Sequence, residues 1–336
     1  MELLNPDLYA GNIITSRVRL ARNLRDLPFT LDPVSAREAV KKVNRALVKK
    51  DTFNLYYVAN LDDITLEAMK ERHLISQNLI ENRDCGAALI NPDESLSIMI
   101  NEEDVIREQC FMKGLRISEA YKRLDGIDDE LAKNLDIAFD EEFGYLTACP
   151  TNLGTGMRAS VMLFLPALTE SGKIKRLVGE IAELGLTVRG LYGEGSSAEG
   201  YMYQISNEIT LGISEYDIIK SVEETVLSVC RLERELEEKL FVKKELITMD
   251  RAKKAYGVLT NAVLLSYDEF LPLIAEVKLG AMLGMINLSD VGAIDDLIVS
   301  VRPANLCKQY GRTLTDTDRD LFRAELVGKK LAKLKE

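Results

Sequence analysis

Hydrophobic and polar residues alternate in short runs through the first two thirds of the chain. A period of two residues predicts β-strands, and eight such runs are present: NIITSRVRL, FNLYYVAN, GAALI, SLSIMI, YLTAC, RASVMLFL, LTVRGLY and YMYQIS. GAALI and SLSIMI flank the turn-forming sequence NPDE at residues 91–94, which predicts an antiparallel hairpin. The pattern therefore favours a mixed or antiparallel sheet with helices over a purely parallel sheet.

The pattern changes to a helical period at about Glu215. YDIIKSVEETVLSVCRLERELEEKLF predicts one long amphipathic helix, and the chain from there to Glu336 contains no convincing strand. We therefore predict an α+β protein of two parts, with a boundary near residues 232–243. The first part is assigned to residues 1–235 and the all-α part to residues 236–336.

Composition excludes several classes of protein. The chain has 43 basic and 54 acidic side chains, a net charge of −11, which argues against a general binder of nucleic acid or anionic membranes. Its five cysteines are scattered without a C-x-x-C pair, and His73 is the single histidine, so neither a disulfide framework nor a zinc site is indicated. The longest uncharged apolar stretch, Ala159 to Leu168, is too short to span a bilayer. We expect a soluble, cytoplasmic protein.

The stretch SRVR places two arginines on one face of the first predicted strand. Arg17 and Arg19 alternate with Ser16, Val18 and Leu20, so their side chains lie about 7 Å apart, twice the rise of a strand residue. The pair is either a solvated strand edge or a clamp for a phosphate group.

The stretch NEEDVIR combines Glu102, Glu103 and Asp104 with Arg107. In one interpretation Asn101 caps a helix whose first turn is acidic. In the other, a carboxylate orients or deprotonates a substrate beside an arginine that meets phosphate.

Two glycine-containing loops carry further candidate chemistry. CPTNLGTGMRAS contains Cys149 and Arg158, and it is not a Walker A loop because no lysine follows Gly156. RGLYGEGSSAEG contains Arg189 and Glu194, and is either a plain surface loop or a loop whose backbone approaches a ligand. The signatures of eukaryotic-type protein kinases are missing.

The stretch TDTDRDLFRAELV near the carboxyl end also has two interpretations. It predicts a helix with Thr315 as its N-cap and an Asp320–Arg323 pair. Arg319 and Arg323 also share one helix face, which suits a phosphate-bearing ligand equally well.

SRVRLARN, NEEDxxR, CPTNLGTGxRAS and RGxxGE, in this order, closely resemble the catalytic motifs of the phosphagen (guanidino) kinases. The resemblance covers roughly residues 12–220 and implies a glutamine-synthetase-like catalytic domain with a mostly antiparallel sheet flanked by helices. The chain resembles the bacterial protein-arginine kinase branch in three features: the early arginine pair, the added helical domain and the stretch RDLFRA. The early arginine pair implies that the N-terminal domain of metabolite kinases is missing. In that branch the substrate is arginine within a protein.

The resemblance implies a role for each matching residue. Nucleotide phosphates are bound in the family by the arginines that correspond to Arg17, Arg19, Arg107, Arg158 and Arg189. The acceptor-side carboxylates correspond to Glu103 and Glu194, the active-site cysteine to Cys149, and the phosphoarginine pocket to Arg319, Asp320 and Arg323. Two family histidines are replaced by Val105 and Met162, so His73 either contacts the nucleotide base or simply caps or packs near a helix end.

The resemblance implies an ATP-dependent protein arginine kinase that marks proteins for degradation during stress. Its Mg²⁺ is held mainly by nucleotide phosphates and water, with no protein metal site. Expected partners are a zinc-binding activator adaptor, a heat-shock repressor as substrate, a Clp unfoldase and protease, and a second copy of the chain bound through the helical domain. Two alternatives remain: a catalytically weak phosphoarginine-binding adaptor, and a kinase for free arginine or creatine.

Overall fold

A computed structural model of the protein describes residues 6–29, 32–48, 52–190 and 199–335. Ten strands are present in this part of the chain: β1 Ile13–Arg22, β2 Asn54–Tyr57, β3 Ala87–Ile90, β4 Leu96–Ile100, β5 Ile106–Lys113, β6 Phe139–Asp140, β7 Gly144–Tyr145, β8 Met157–Phe164, β9 Leu186–Gly190 and β10 Met202–Asn207. Eight of them form one sheet in the order β2-β3-β4-β5-β1-β8-β10-β9, in which every neighbouring pair is antiparallel.

Helices account for most of the remaining structure. They are α1 Pro33–Leu47, α2 Asp63–Glu71, α3 Gln77–Glu81, α4 Ile117–Asn134, α5 Pro166–Glu170, α6 Ile174–Ala182, α7 Glu215–Leu240, α8 Glu245–Asn261, α9 Tyr267–Met282, α10 Ala293–Ser300, α11 Pro303–Tyr310 and α12 Asp316–Leu334. Side-chain caps begin several of them: Ser214 accepts a hydrogen bond from the N–H of Asp217 in α7, and Thr315 closes a capping box with Asp318 in α12. The predicted α+β class, the long helix and the all-α C-terminal part are confirmed. The predicted division after residue 235 falls inside α7.

The two faces of the sheet carry different side chains. Val18 and Leu20 of β1 belong to the main hydrophobic core, together with buried residues of α4 and α7. Arg17 and Arg19 alternate with them, so they point to the opposite face. Helices α4 and α7 therefore pack on one side of the sheet at β1, whereas on the arginine side α2 and α3 pack against β3 and β4.

Two expectations from the sequence are wrong. Asn101 does not cap a helix: it has a φ of 63°, its N–H donates to the carbonyl of Val105, and the residues between them form a tight turn joining β4 to β5. The stretch YLTAC is not a strand beyond Gly144–Tyr145, because the amide of Asn23 and the carboxylate of Asp104 bind the backbone at Leu146 and Ala148 in place of a strand partner.

A buried carboxyl group on the helical side of the sheet predicts a pH-dependent stability. Glu108 is fully buried next to the Arg22–Asp128 ion pair, and burial, with the charge of Asp128, holds its pKa well above the usual range. The folded protein therefore retains this proton at pH values where the unfolded chain has lost it, and stability falls as pH rises. We expect Glu108→Gln to raise the free energy of unfolding at pH 8 by about 1–3 kcal/mol.

Denaturant unfolding at several pH values checks this expectation. The increase in the free energy of unfolding caused by Glu108→Gln should become smaller toward pH 5. Glu119→Gln, at an exposed position on α4, should show no such dependence on pH. A gain for Glu108→Gln that is the same at pH 5 and pH 8 would contradict the raised pKa.

Candidate active site

Five arginines lie on one face of the sheet, and the strand register shows why. Arg19 pairs directly with Arg158, Ala21 of the same strand pairs with Arg107, and side chains of paired residues point to the same side. The same face continues through Met162 and Gln204 to Arg189 at the edge of the sheet. The arginines predicted from the sequence are therefore brought together as Arg17, Arg19, Arg107, Arg158 and Arg189.

Positive charge in this cluster exceeds the negative charge next to it. Burial, followed by the charges of Arg107 and Arg158, lowers the pKa of Arg17 to about 9. Burial and the neighbouring charge of Arg17 also hold the pKa of Arg19 well below its usual range. In the described part of the chain, the buried Nε atoms of Arg17 and Arg19 have no hydrogen-bond partner. Donors without partners among like charges fit an anion with several oxygen atoms, such as a polyphosphate.

Arg158 and Arg189 extend the cluster toward the edge of the sheet. The guanidinium of Arg158 lies 3.1 Å from the hydroxyl of Ser206, and burial together with the charge of Arg189 lowers its pKa. Arg189 is exposed at the end of β9. The loop that follows includes the predicted carboxylate Glu194, which lies outside the described residues.

The turn between β4 and β5 carries one exposed and one buried glutamate. Glu102 is buried, and its carboxylate accepts hydrogen bonds from Arg107 at 2.6 Å and from the hydroxyl of Ser76 at 2.6 Å. Glu103 is exposed, and its backbone N–H donates to Glu102 at 2.9 Å. Glu102 thus fixes the turn and Arg107, while the Glu103 carboxylate lines a cavity of about 430 Å³.

Asp104 joins this turn to the loop that carries Cys149. Its carboxylate accepts from the side-chain amide of Asn23 at 2.8 Å and from the backbone N–H of Ala148 at 2.7 Å. Cys149 is half-buried, with its Sγ 3.0 Å from the hydroxyl of Thr151. The structure therefore holds the predicted cysteine loop directly against the turn that carries Glu103.

A second cavity, of about 240 Å³, lies at the other end of the arginine cluster. Arg17 and His73 line it, with apolar side chains from four neighbouring strands: Ile14, Phe111, Met162 and Met202. Burial, followed by the charge of Arg17, lowers the pKa of His73 to about 4, so its imidazole is neutral at pH 7. The apolar lining and the neutral imidazole suit a flat heterocycle better than an ion.

The apolar cavity, the arginines and the β4–β5 turn follow one another along β1. Thr15 lines the apolar cavity, Arg17 and Arg19 come next, and Ala21 pairs with Arg107, whose guanidinium is bonded to Glu102 in that turn. Thr15 and Ala21 are separated by six residues, or about 20 Å of extended strand. An extended nucleoside triphosphate can span this length, with its base in the apolar cavity and its last phosphate facing Glu103.

Comparison with known proteins supplies the family. A family model described as "ATP:guanido phosphotransferase, C-terminal catalytic domain" matches residues 35–236, and one described as "Protein-arginine kinase McsB C-terminal domain" matches residues 245–336. A protein-arginine kinase of Caldanaerobacter subterraneus is 40% identical over 96% of this chain and 97% of its own length. One from Clostridium acetobutylicum is 42% identical over 98% of each chain. The chain belongs to the ATP:guanido phosphotransferase family, in its protein-arginine kinase branch.

Solved structures of guanidino kinases share this catalytic fold. The duplicated taurocyamine kinase of Schistosoma mansoni superposes with a TM-score of 0.62 at 28% identity, over 70% of this chain and 34% of that chain. Lombricine kinase superposes with a TM-score of 0.60 at 26% identity, over 70% of each chain. The chain is therefore a phosphotransferase, and the predicted phosphagen-kinase-like fold is confirmed.

In this guanidino kinase the two positions that depart from the family pattern have different surroundings. Val105 is fully buried in the hydrophobic core, and its N–H donates to the side chain of Asn23. Met162 lines the apolar cavity, as His73 does. Valine in place of the family's histidine at residue 105 therefore leaves no gap in the site. Methionine in place of the family's histidine at residue 162 makes the cavity more apolar.

The C-terminal motif RDLFRA lies on α12, as the sequence predicts. Arg323 is buried, and it donates to the backbone carbonyls of Leu265 and Val301 as well as to Asp320 at 2.7 Å. Arg319 is only half-buried, and its guanidinium lies beside Asp316. Arg323 therefore organises the helical domain, and Arg319 is the more accessible guanidinium of the two.

Gln109, which contacts the candidate site, is not indicated by the sequence motifs. Gln109 accepts a hydrogen bond from Arg17 and donates to the backbone carbonyls of His73 at 2.8 Å and Leu74 at 3.0 Å. It therefore connects the arginine cluster to the apolar cavity. The alternation in IREQCFMK could have revealed it, but the acidic run before this stretch favoured a helix.

The glycine turn of the Cys149 loop gives a testable prediction. Gly154 has a φ of 106°, and a Cβ built on it would lie 2.3 Å from the carbonyl oxygen of Thr210. We expect Gly154→Ala to lower the free energy of unfolding by about 2–4 kcal/mol, because both the backbone conformation and the contact resist a side chain. Denaturant unfolding measures this. Gly172→Ala, at a φ of 70° with open space around it, is the control and should cost less. Equal losses would contradict the close contact.

Proposed function

We propose that this guanidino kinase is an ATP-dependent protein arginine kinase, which transfers the γ-phosphoryl group of ATP to arginine side chains in proteins. One observation carries the proposal: the cluster of five arginines, with unpartnered buried Nε atoms, lies between a base-sized apolar cavity and an exposed glutamate. The arginine acceptor itself is suggested by the names of the relatives and by the carboxylates around Glu103.

The residues divide the chemistry between them. The arginines hold the triphosphate and stabilise charge on the phosphoryl group in transit. A guanidinium is cationic and a poor nucleophile, so the Glu103 carboxylate orients it and accepts one N–H proton. The N–P bond forms as the bond from the γ-phosphorus to the bridging oxygen breaks, and ADP leaves with that electron pair. Glu194 is proposed as the second acceptor-side carboxylate on the resemblance alone, and Cys149 as a contact of the incoming guanidinium.

The donor set also fits the metal that the family implies. The groups that face the proposed triphosphate are guanidiniums, which cannot ligate a cation, so Mg²⁺ would be carried by phosphate oxygens and water. It would supply charge neutralisation between the phosphates when bound. None of the helices in the described residues is long and apolar enough to cross a membrane; we propose a cytoplasmic location.

A comparison of acceptors tests the proposal. The chain is incubated with ATP and either a folded protein or free arginine, and acid-labile phosphate on arginine is measured. We expect labelling of the protein and little of free arginine. Efficient phosphorylation of free arginine alone would favour a metabolite kinase, and no labelling of either acceptor would favour a phosphoarginine-binding adaptor.

The adaptor alternative is favoured by the accessible Arg319 and can be measured separately. We propose that phosphoarginine binds at the Arg319, Asp320 and Arg323 motif, with Arg319 as the contact and the buried Arg323 holding Asp320 in position. We expect Arg319→Ala to weaken this binding by roughly tenfold or more, because a charge-assisted contact is lost. Isothermal calorimetry with free phosphoarginine measures the change. Arg116→Ala, at an exposed arginine outside the helical domain, is the control; equal loss in both variants would contradict the site.

The biological role is proposed from the family alone. We propose that the kinase marks proteins for a Clp unfoldase and protease under stress, with a heat-shock repressor among its substrates. A zinc-binding adaptor would activate it, and two copies would associate through the helical domain. Pull-down with each purified partner tests these contacts one at a time.

A further inference from the structure

The apolar cavity has a wall that the catalytic domain does not provide. Four of its lining residues belong to helix α10 of the C-terminal helical domain: Asp295, Asp296, Ile298 and Val299. We infer that α10 forms the outer wall of the nucleobase pocket, so that the helical domain determines the affinity of the catalytic domain for nucleotide. This inference rests on the proposed use of ATP.

Ion pairs hold the first half of α10 in place. The ammonium of Lys113 on β5 lies 2.7 Å from the Asp296 carboxylate, and the buried ammonium of Lys278 lies 2.6 Å from that of Asp295. Lys113 is next to the arginine face, while Lys278 belongs to α9 of the helical domain. The two carboxylates of α10 are therefore each bound to a lysine, one on each side of the boundary between the domains.

The carboxyl end of α10 is fixed to the segment that carries His73. Arg302 donates to the backbone carbonyl of Glu71 at 3.1 Å. The Glu71 carboxylate in turn accepts the N–H groups of Ala304 and Asn305 at the start of α11, at 3.0 and 2.8 Å. Because Glu71 is two residues before His73, the position of α10 and the position of the imidazole are set by the same contacts.

These contacts determine what α10 presents to the cavity. Its two carboxylates are paired, so the surface left for a ligand is that of Ile298 and Val299, which line the cavity together with Met162 and Phe111. An apolar wall of this kind stabilises the flat face of a base by burial. It cannot contribute to binding of the phosphates, which lie along β1 beside the arginines. The helical domain is therefore expected to contribute to binding of the nucleoside and not of the triphosphate.

Filling the cavity from the helical side tests the inference. Val299→Trp is compared with wild type in its binding of ATP and of inorganic tripolyphosphate, by isothermal calorimetry on the full chain. We expect ATP affinity to fall by roughly tenfold or more, because the indole occupies the space of the base. Tripolyphosphate affinity should change less than about twofold, because of the five arginines only Arg17 lines this cavity. Val263→Trp, at an exposed position after α8, is the matched control and should change neither.

The possible outcomes separate a failure of the proposed role of α10 from a failure of the proposed use of ATP. If wild type binds ATP and Val299→Trp binds it equally well, the wall is not part of the pocket, and the proposed function stands. If the variant loses ATP and tripolyphosphate equally, the effect is a general disturbance and the inference is overturned. If wild type binds neither ligand, the proposed function fails as well. Ile298→Ala removes contacts of the wall without adding volume, and it covers the case in which the tryptophan variant does not fold. It should lower the affinity for ATP and leave the affinity for tripolyphosphate unchanged. Unchanged ATP binding would overturn the inference.

Discussion

Replacing Glu103 with glutamine is expected to reduce phosphoryl transfer to protein arginine by roughly 10²–10⁴-fold, the range typical for loss of a general base. The amide keeps the size of the side chain and can still contact the acceptor, but it cannot accept the proton that leaves the guanidinium. ATP affinity should not change, because Arg107, the arginine next to this turn, bonds to the Glu102 carboxylate and not to that of Glu103. The measurement is the initial rate of acid-labile label on a protein acceptor, with ATP affinity determined separately.

The control for this variant is Glu119→Gln, an exposed glutamate on α4 that should leave the rate unchanged. Rates equal to wild type in Glu103→Gln would show that the catalytic assignment is wrong. A loss of ATP affinity without a loss of maximal rate would instead place Glu103 among the residues that bind nucleotide.

Replacing Arg19 with methionine is expected to change activity and stability in opposite directions. Its side chain is half-buried, with a buried Nε, among Arg17, Arg107 and Arg158, and burial and these like charges disfavour its charged form. Removing it should raise the free energy of unfolding of the ligand-free protein by about 1–2 kcal/mol, because an uncompensated buried charge is lost. The same change should lower the kinase rate by roughly 10³-fold, as for other arginines that stabilise a phosphoryl group in transit.

Thermal unfolding with and without ATP separates the two effects. ATP should raise the Tm of wild type and should raise that of Arg19→Met far less, because binding to the folded state is the source of the shift. Arg176→Met, at an exposed arginine of α6, is the control and should alter neither stability nor the ATP-dependent shift. A ligand-free protein that loses stability in Arg19→Met would contradict the account of the cluster as a site of excess positive charge.

The parts of the fold that could be predicted from the sequence are those in which local pattern and tertiary environment agree. The alternation in β1 predicted both its buried face and the arginine pair, and the long amphipathic run predicted α7 within one residue at each end. Strand β5 was missed because the acidic run before it is equally typical of a helix start. The turn there depends on contacts that the local pattern does not indicate, among them the bond from the Asn101 N–H to Val105, made in a conformation with positive φ.

The candidate site could be predicted in its residue types but not in its assembly. Motif order identified the arginines, Glu103 and Cys149, and the strand register confirms that the arginines share a face. The bonds of Asp104 and Gln109, and the position of α10 over the apolar cavity, join residues far apart in the sequence. No local pattern encodes such contacts. The assignment of Glu194 stays a prediction, since that residue lies outside the described part of the chain.

The most direct test of the central claim is to follow the γ-phosphate itself. The chain is incubated with ATP labelled at the γ-phosphate and a folded protein acceptor, and the modified residues are identified by mass spectrometry at neutral pH. We predict label on arginine side chains that is stable at neutral pH and released by acid. Label found on serine or threonine instead, or no label on arginine while ATP is bound, would contradict the claim that this arginine-lined face transfers phosphate to a guanidinium.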